Sequence, residues 1–128
     1  MQLNIEEILL YLESKNIVSQ IIEVFTDETV NRGYYKIRCK LIPSDYKLQI
    51  KWINTPENLI YSYQLFSDIH LLRWDNSPHF PDINTFPHHF HDNNENIHNS
   101  SISGEDIITD LDIILKKILV FIDNELTK

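Results

Sequence analysis

Three consecutive segments of the chain alternate apolar and polar side chains with a period of two, and this pattern limits the possible folds more than any other feature. The segments are residues 34–42, 46–53 and 59–66. A period of two places successive side chains on opposite faces of a strand. Short turns that contain Pro, Asn and Asp separate these segments, and short connections join antiparallel neighbours. The chain is therefore predicted to contain an antiparallel sheet.

Two further segments extend this predicted sheet to about five strands. Residues 17–26 are rich in Ile and Val, which favours a first strand, and residues 69–74 predict a short last strand. Residues 59–66 carry bulky side chains on both faces, which indicates a central strand. The turn between the first alternating pair is predicted at residues 43–45.

A helix is predicted at each end of the chain. Asn4 can cap the first helix, with Glu7 completing a capping box, and an apolar stripe continues to about residue 15. The last helix is predicted to begin at a Ser103 cap, with Asp106 at the third helical position, and it carries a broad apolar face. We expect both helices to pack on one face of the sheet, giving a single α+β domain over residues 1–128.

All six histidines of the protein lie between residues 70 and 98. Residues 76–103 show no sustained period, and three prolines, Pro78, Pro81 and Pro87, oppose regular structure there. We expect a long His- and Pro-rich loop before the last helix, with its first half ordered by phenylalanines and its second half loose. Loops of this length in a compact domain are usually functional or disordered.

The charge is distributed unevenly. The net charge of −8 argues against a surface that binds nucleic acid everywhere. The two alternating segments of the first hairpin nevertheless place basic side chains on one face, and the residues are Lys36, Arg38, Lys40, Lys47 and Lys51. This face is either a track for RNA or a lysine-rich surface that keeps the protein in solution.

Several classes of protein are excluded or disfavoured by composition. With only two glycines, the chain has no phosphate-binding loop, no dinucleotide-binding motif and no nucleophile elbow. Cys39 is the single cysteine and falls on an apolar strand face, so it predicts a core position and no intrachain disulfide. These features, and the lack of an apolar run long enough to span a bilayer, favour a cytoplasmic protein without membrane contact.

The candidate site combines an arginine, an aspartate and four histidines. These residues are Arg73, Asp75, His79, His88, His89 and His91. Histidine takes and gives a proton near neutrality, and arginine binds phosphate through two parallel hydrogen bonds. Two histidines beside a cation suit metal-free cleavage of RNA, so no cofactor is predicted. The alternatives are that these side chains only pair and pack within the loop, or that the histidines and Asp75 bind a metal ion.

The motifs at 72–79 (LRWDNSPH) and 85–91 (TFPHHFH) resemble the TumE-like family of toxins from toxin–antitoxin modules. The resemblance is close over residues 59–91 and general over most of the chain, and Phe80 departs from it, where a second histidine is expected. It implies a cognate antitoxin as partner and a site built from Arg73, Asp75, Asn76 and the histidines above.

The sequence therefore predicts a toxin that is a metal-independent endoribonuclease with RNA as substrate. His79 and one of His88, His89 or His91 would form the acid–base pair, while Arg73 holds phosphate and Asp75 orients a neighbour. Two alternatives remain open, a non-catalytic protein that docks a partner through the His-rich loop and a metal-dependent nuclease or hydrolase. Exposed strand edges also leave a homodimer open.

Overall fold

The computed structural model describes residues 3–43 and 45–128 and shows an α+β protein with one seven-stranded antiparallel sheet. The helices are α1 (Ile5–Glu13) and α2 (Ile107–Leu126). The strands are β1 (Val18–Glu28), β2 (Gly33–Leu41), β3 (Lys47–Asn54), β4 (Leu59–Phe66), β5 (Leu71–Asp75), β6 (His89–His91) and β7 (Ile97–Asn99). The order of strands in the sheet is the same as their order in the chain.

The five strands predicted from the sequence are all present. The predicted bounds of the central strand, residues 59–66, are those of β4, which lies fourth of seven. The burial of side chains in β2 and β3 follows the predicted alternation of apolar and polar residues, with every second residue buried. The predicted turn at residues 43–45 contains Ser44, which lies outside the described residues.

The prediction of about five strands, followed by a long irregular loop, is wrong in one respect. The segment after β5 contains β6 and β7, which continue the sheet as a short hairpin. Each has three residues, too few to show a period. Their tight turn is held by Asp92, whose carboxylate accepts hydrogen bonds from the backbone N–H groups of Asn94 and Asn96 at 2.8 and 2.9 Å. The second half of the predicted loop is therefore regular structure.

Of the two predicted helix caps, one is confirmed and the other is wrong. Asn4 caps α1, and its side-chain oxygen accepts a hydrogen bond from the Glu7 N–H at 3.1 Å. The cap of α2 is Asp106, not Ser103, and its carboxylate accepts bonds from the Thr109 N–H and hydroxyl. Gly104, with φ of +73°, separates Ser103 from the helix; a Cβ there would lie 2.7 Å from the Tyr61 ring.

The helices cover one face of the sheet, here called the inner face, and the opposite face is called the outer face. The inner face supplies buried aromatic side chains, including Trp52, Tyr63 and Trp74, to a core completed by both helices. From α2 this core receives Leu111, Ile114 and Ile118, all fully buried. The outer face is free of helices, so its side chains are available for other roles.

Within the described residues, no helix is both long and apolar enough to cross a membrane.

Candidate functional site

The sheet register places the site residues and the basic residues on the same outer face. Residues paired across neighbouring strands point to the same side of a sheet. One row of paired residues crosses all seven strands and consists of Phe25, Lys36, Lys51, Ser62, Asp75, His89 and Asn99. The adjacent row consists of Glu23, Arg38, Gln49, Gln64, Arg73, His91 and Ile97. The pairing of β5 with β6 thus brings Arg73, Asp75, His89 and His91 together; these four are called the Asp75 cluster below.

Asp75 is the centre of this cluster and its side chain is only 3% exposed. Its Oδ2 lies 2.7 Å from Arg73 Nε and 3.4 Å from His91 Nε2, and its Oδ1 lies 2.9 Å from His89 Nε2. Oδ1 also accepts hydrogen bonds from the Ser77 N–H at 3.0 Å and the Ser77 hydroxyl at 2.7 Å. Burial raises the pKa of Asp75, but the Ser77 hydrogen bonds and the neighbouring His89 and Arg73 outweigh it and lower the pKa below the usual value. The carboxylate is therefore an anion at neutral pH.

His89 is fully buried, and its hydrogen bonding defines its tautomer. Its Nδ1 lies 3.0 Å from the backbone oxygen of Pro87, which can only accept, so Nδ1 carries a proton. Its Nε2 faces Asp75 but has no hydrogen bond of acceptable direction, and the same holds for Arg73 Nε. These two buried nitrogens thus lie within ion-pair distance of the carboxylate without completing a hydrogen bond to it.

His91 is the accessible imidazole of the cluster, with 28% of its side chain exposed. Partial burial lowers its pKa below the usual 6.5; Asp75 opposes this effect, while the neighbouring His89 and Arg73 add to it. His91 is therefore neutral at pH 7. Because Nε2 faces the Asp75 carboxylate, it carries the ring proton, and Nδ1 has the lone pair that is able to accept a proton. Phe80 covers the cluster, with its ring centroid 4.8 Å from that of His89 and 5.8 Å from that of His91.

The structure separates two of the predicted site histidines from the cluster. His88 lies on the other side of the strand and its Nδ1 is 2.7 Å from the hydroxyl of Tyr61, a core residue. Burial lowers the pKa of His88. His79 is exposed, and its ring packs against Phe80 with centroids 6.5 Å apart. Adjacent positions in a strand face opposite sides, so His88 and His89 cannot both reach one site.

Two histidines outside the predicted site have structural partners. His70 Nδ1 lies 2.8 Å from the Tyr46 hydroxyl, and its Nε2 lies 3.3 Å from Glu125. His98 Nε2 lies 2.7 Å from Asp92 Oδ2 at the β6–β7 hairpin. Because His98 pairs with Phe90, it belongs to the row on the inner side of the sheet.

A cavity of about 110 Å³ opens beside the cluster on the outer face. Its lining residues are Lys51, Ile60, Tyr61, Ser62, Arg73, Asp75 and Ser77. Sequence reasoning missed Ser62 and Ser77 as neighbours of the site. For Ser77 a signal exists, because an aspartate often accepts a hydrogen bond from the backbone two residues later.

The five predicted basic residues share the outer face, as expected, but they differ in their partners. Lys36 forms an ion pair with Glu23 at 3.1 Å. Arg38 donates to the Gln49 side chain and lies over the Phe66 ring at 5.3 Å. In the described part of the chain, no ion pair engages Lys40, Lys47 or Lys51, so these three are the basic groups most available to an anion.

The same cluster contains a potential set of metal ligands. One ligand atom each from Asp75, His89 and His91 lies within 4.8 Å of the others. His79 and His88, which the sequence also suggested as metal ligands, are not members of this set.

Comparison with known proteins gives one match. A family model described as "Toxin TumE" matches residues 5–125, which is nearly the whole chain. No curated protein and no solved structure matches.

Proposed function

The chain belongs to the TumE toxin family, and from that premise we propose that its toxic activity is endoribonucleolytic cleavage without a metal ion. One observation carries the proposal: the Asp75 cluster and the basic side chains of β2 and β3 lie on one helix-free face of the sheet. Lysines along that face can bind the RNA backbone, while the cluster supplies proton transfer and charge stabilisation at one phosphate.

Arg73 and Lys51 are the proposed phosphate-binding groups. They line the same cavity, and 44% of the Arg73 side chain is exposed, so its terminal nitrogens remain free while Nε faces Asp75. Two cations at a phosphate stabilise the extra negative charge of the transition state. Such stabilisation is typically the largest single contribution to a reaction of this kind.

His91 is the proposed general base. Its Nδ1, the nitrogen that does not face Asp75, would take the proton of the 2′-hydroxyl while the 2′-oxygen attacks phosphorus and the bond to the 5′-oxygen breaks. Asp75, at 3.4 Å, holds the imidazole in place and stabilises the imidazolium that forms. His89 is too deeply buried to reach RNA and acts as a positioning residue for Asp75. His79 is exposed and packs on Phe80, whose ring also contacts that of His91, and it is the candidate acid that returns a proton to the 5′-oxygen.

Membership of a toxin family implies an antitoxin partner. An antitoxin that covers the outer face would block both the lysines and the cluster. Self-association through the exposed edge of β1 remains a separate proposal, which gel filtration of the protein alone would test.

The test is cleavage of cellular RNA by the purified protein in EDTA, with His91→Ala compared with His98→Ala. We expect wild type and His98→Ala to cleave, and His91→Ala to lose at least about 100-fold in rate. Equal cleavage by both variants would contradict the role of His91. No cleavage by wild type in EDTA would contradict the proposed reaction itself.

A second candidate function is partner binding without catalysis. It is favoured by a groove of about 540 Å³ between α2 and the β5–β6 end of the inner face, lined in part by Trp74, Phe90, Val120 and Phe121. Under this alternative, growth inhibition would survive His91→Ala but fail when Val120, which is 61% exposed, is changed to Asp.

A further inference from the structure

The Asp75 cluster combines three ligand atoms of the kind that first-row transition metals bind. Two are imidazole nitrogens, on His89 and His91, and the third is a carboxylate oxygen of Asp75, all within 4.8 Å of one another. Two histidines and one carboxylate form a recurrent ligand set for zinc and for iron, with the remaining positions left for water or substrate. Magnesium and calcium prefer all-oxygen surroundings, so they fit this set poorly.

The orientation of His89 supports a ligand role independently of this proximity. Its Nε2 is buried and lies 2.9 Å from Asp75 Oδ1, but it is not directed so as to complete a hydrogen bond, although a buried polar atom normally makes one. Its Nδ1 donates to the backbone oxygen of Pro87. Metal-bound histidines usually make this arrangement, with the distal ring nitrogen bound to a carbonyl or carboxylate so that the other nitrogen faces the metal.

The carboxylate of Asp75 is likewise held in place by neighbouring groups. The Ser77 N–H and hydroxyl hold Oδ1, and Arg73 Nε lies 2.7 Å from Oδ2. Carboxylates that bind metals are generally fixed by such hydrogen bonds. The positive charge of Arg73 opposes an incoming cation, so this site is expected to bind more weakly than a structural zinc site.

We propose that Asp75, His89 and His91 bind one transition-metal ion, with Zn²⁺ the best match, and that the bound ion inhibits the toxin. Binding requires only these three side chains. Inhibition rests on the proposed function, because an ion bound to Nε2 of His91 leaves the ring proton on Nδ1, and the imidazole then has no lone pair to take a proton from RNA. The ion thus regulates the same site.

Binding is tested on tag-free protein that has been dialysed against a chelator. CoCl₂ is titrated while the visible absorption of the bound cobalt is followed, and ZnCl₂ is titrated by calorimetry. We expect one ion per chain for wild type, and at least a tenfold loss of affinity in His91→Ala. His98→Ala is the matched control, because His98 also contacts an aspartate but belongs to no group of three metal-ligating side chains among the described residues. We expect it to bind as wild type does.

A second measurement guards against a variant that folds poorly. Saturating Zn²⁺ stabilises a protein that binds it only when folded, so the melting temperature of wild type and His98→Ala should rise. That of His91→Ala should not rise. Absence of binding by wild type, or equal affinity in His91→Ala, overturns the site.

Inhibition is measured separately from binding. RNA cleavage is compared in EDTA and with one equivalent of Zn²⁺, and we expect at least a tenfold loss on adding zinc. Cleavage that is unchanged by bound zinc overturns inhibition while leaving the site intact. Lack of cleavage in EDTA would count against the proposed function and not against metal binding, which is read without RNA.

Discussion

Two aspartates at the same end of the sheet contact histidine imidazoles in different surroundings. Asp75 is 3% exposed and lies among Arg73, His89 and His91, whereas Asp92 is 24% exposed and, in the described part of the chain, His98 is the one basic side chain that it contacts. The hydrogen bond from His98, with two backbone N–H groups, lowers the pKa of Asp92 to about 2. The same pair of residue types therefore closes a surface turn in one place and forms the centre of a buried ionic cluster in the other. Burial and the number of cationic partners, not the pairing itself, distinguish the candidate site.

The largest expected effect is on stability, and its absence would contradict the difference drawn here between Asp75 and Asp92. Asp75→Ala leaves buried Arg73 Nε and His89 Nε2 without their anion, so we expect a loss of about 3–5 kcal/mol in the free energy of unfolding. Urea denaturation followed by circular dichroism measures it. Asp92→Ala is the control, and its loss should be clearly smaller because the pair is exposed to solvent. Equal losses would show that burial of Asp75 carries no special weight.

The next effect is on activity. His91→Ala should lower the rate of RNA cleavage at least about 100-fold, equivalent to about 2.7 kcal/mol, because the general base is removed. His98→Ala should change the rate by less than about twofold, since His98 lies on the inner side of the sheet. Initial rates on one defined RNA oligonucleotide give the ratio. A similar decrease in both variants would assign the histidines a structural role.

Asp110 extends the comparison to a buried aspartate that forms no ion pair with any residue the structure describes. Burial raises its pKa to about 6, partly offset by the backbone N–H groups of Ser103 and Gly104. The folded state then binds more protons than the unfolded state between pH 4 and 6, so this group makes stability fall as pH rises through that range. Above pH 6 we expect a cost of roughly 3 kcal/mol.

Asp110→Asn tests this sign, since an amide oxygen can still accept from Gly104. The variant should be more stable than wild type at pH 7, and the difference should shrink towards pH 4. Asp75, with its lowered pKa, acts oppositely: its stabilisation is present above the unfolded value and is lost as pH falls through the folded value. Chemical denaturation at several pH values measures both. If the difference in unfolding free energy between Asp110→Asn and wild type stayed constant across pH, the raised pKa of Asp110 would be contradicted.

The smallest expected effect extends the comparison to two lysines that face each other across β2 and β3. Lys51 has no acidic partner in the described region and lines the site cavity, whereas Lys36 is paired with Glu23. Lys51→Ala should weaken RNA binding about threefold to tenfold, and Lys36→Ala less. Fluorescence anisotropy at fixed salt, with an uncleavable RNA, gives both values. A larger effect at Lys36 would move the proposed RNA track towards β1.

Most of the sheet could be predicted because side chains in β2 and β3 are buried at alternate positions. This alternation appears in the sequence as a period of two between apolar and polar residues. Strands β6 and β7 could not, because three residues show no period and one of them, His89, is a polar residue that the structure buries. Their pairing is set by the turn at Asp92 and by packing of Phe90 on Trp74, whose ring centroids lie 4.8 Å apart. Such tertiary contacts produce no recognisable pattern in the local sequence.

The candidate site was predictable as a stretch of sequence but not as a set of contacts. Arg73 and Asp75 lie two apart in a strand, so their shared face followed from the sequence. The placement of the histidines on opposite sides of the sheet could not be predicted from the sequence, since it depends on β6 being a strand. Once that strand exists, His89 and His91 face the outer side and His88 faces the core, and this parity removes His88 from the predicted site.

Because the strand order repeats the chain order, each strand pairs with its neighbour in sequence as soon as that neighbour is made. Sheets built from such local pairings form quickly, without closing long loops. The Asp75 cluster is complete once His91 in the sixth strand has been synthesised, whereas α2, the last 20-residue element, is still missing. A chain that stops before α2 holds all four cluster residues on a sheet whose aromatic inner face is uncovered. Such a chain exposes Trp74 and its neighbours to proteases and to aggregation. Completion of α2 therefore covers this aromatic face and protects a newly made copy.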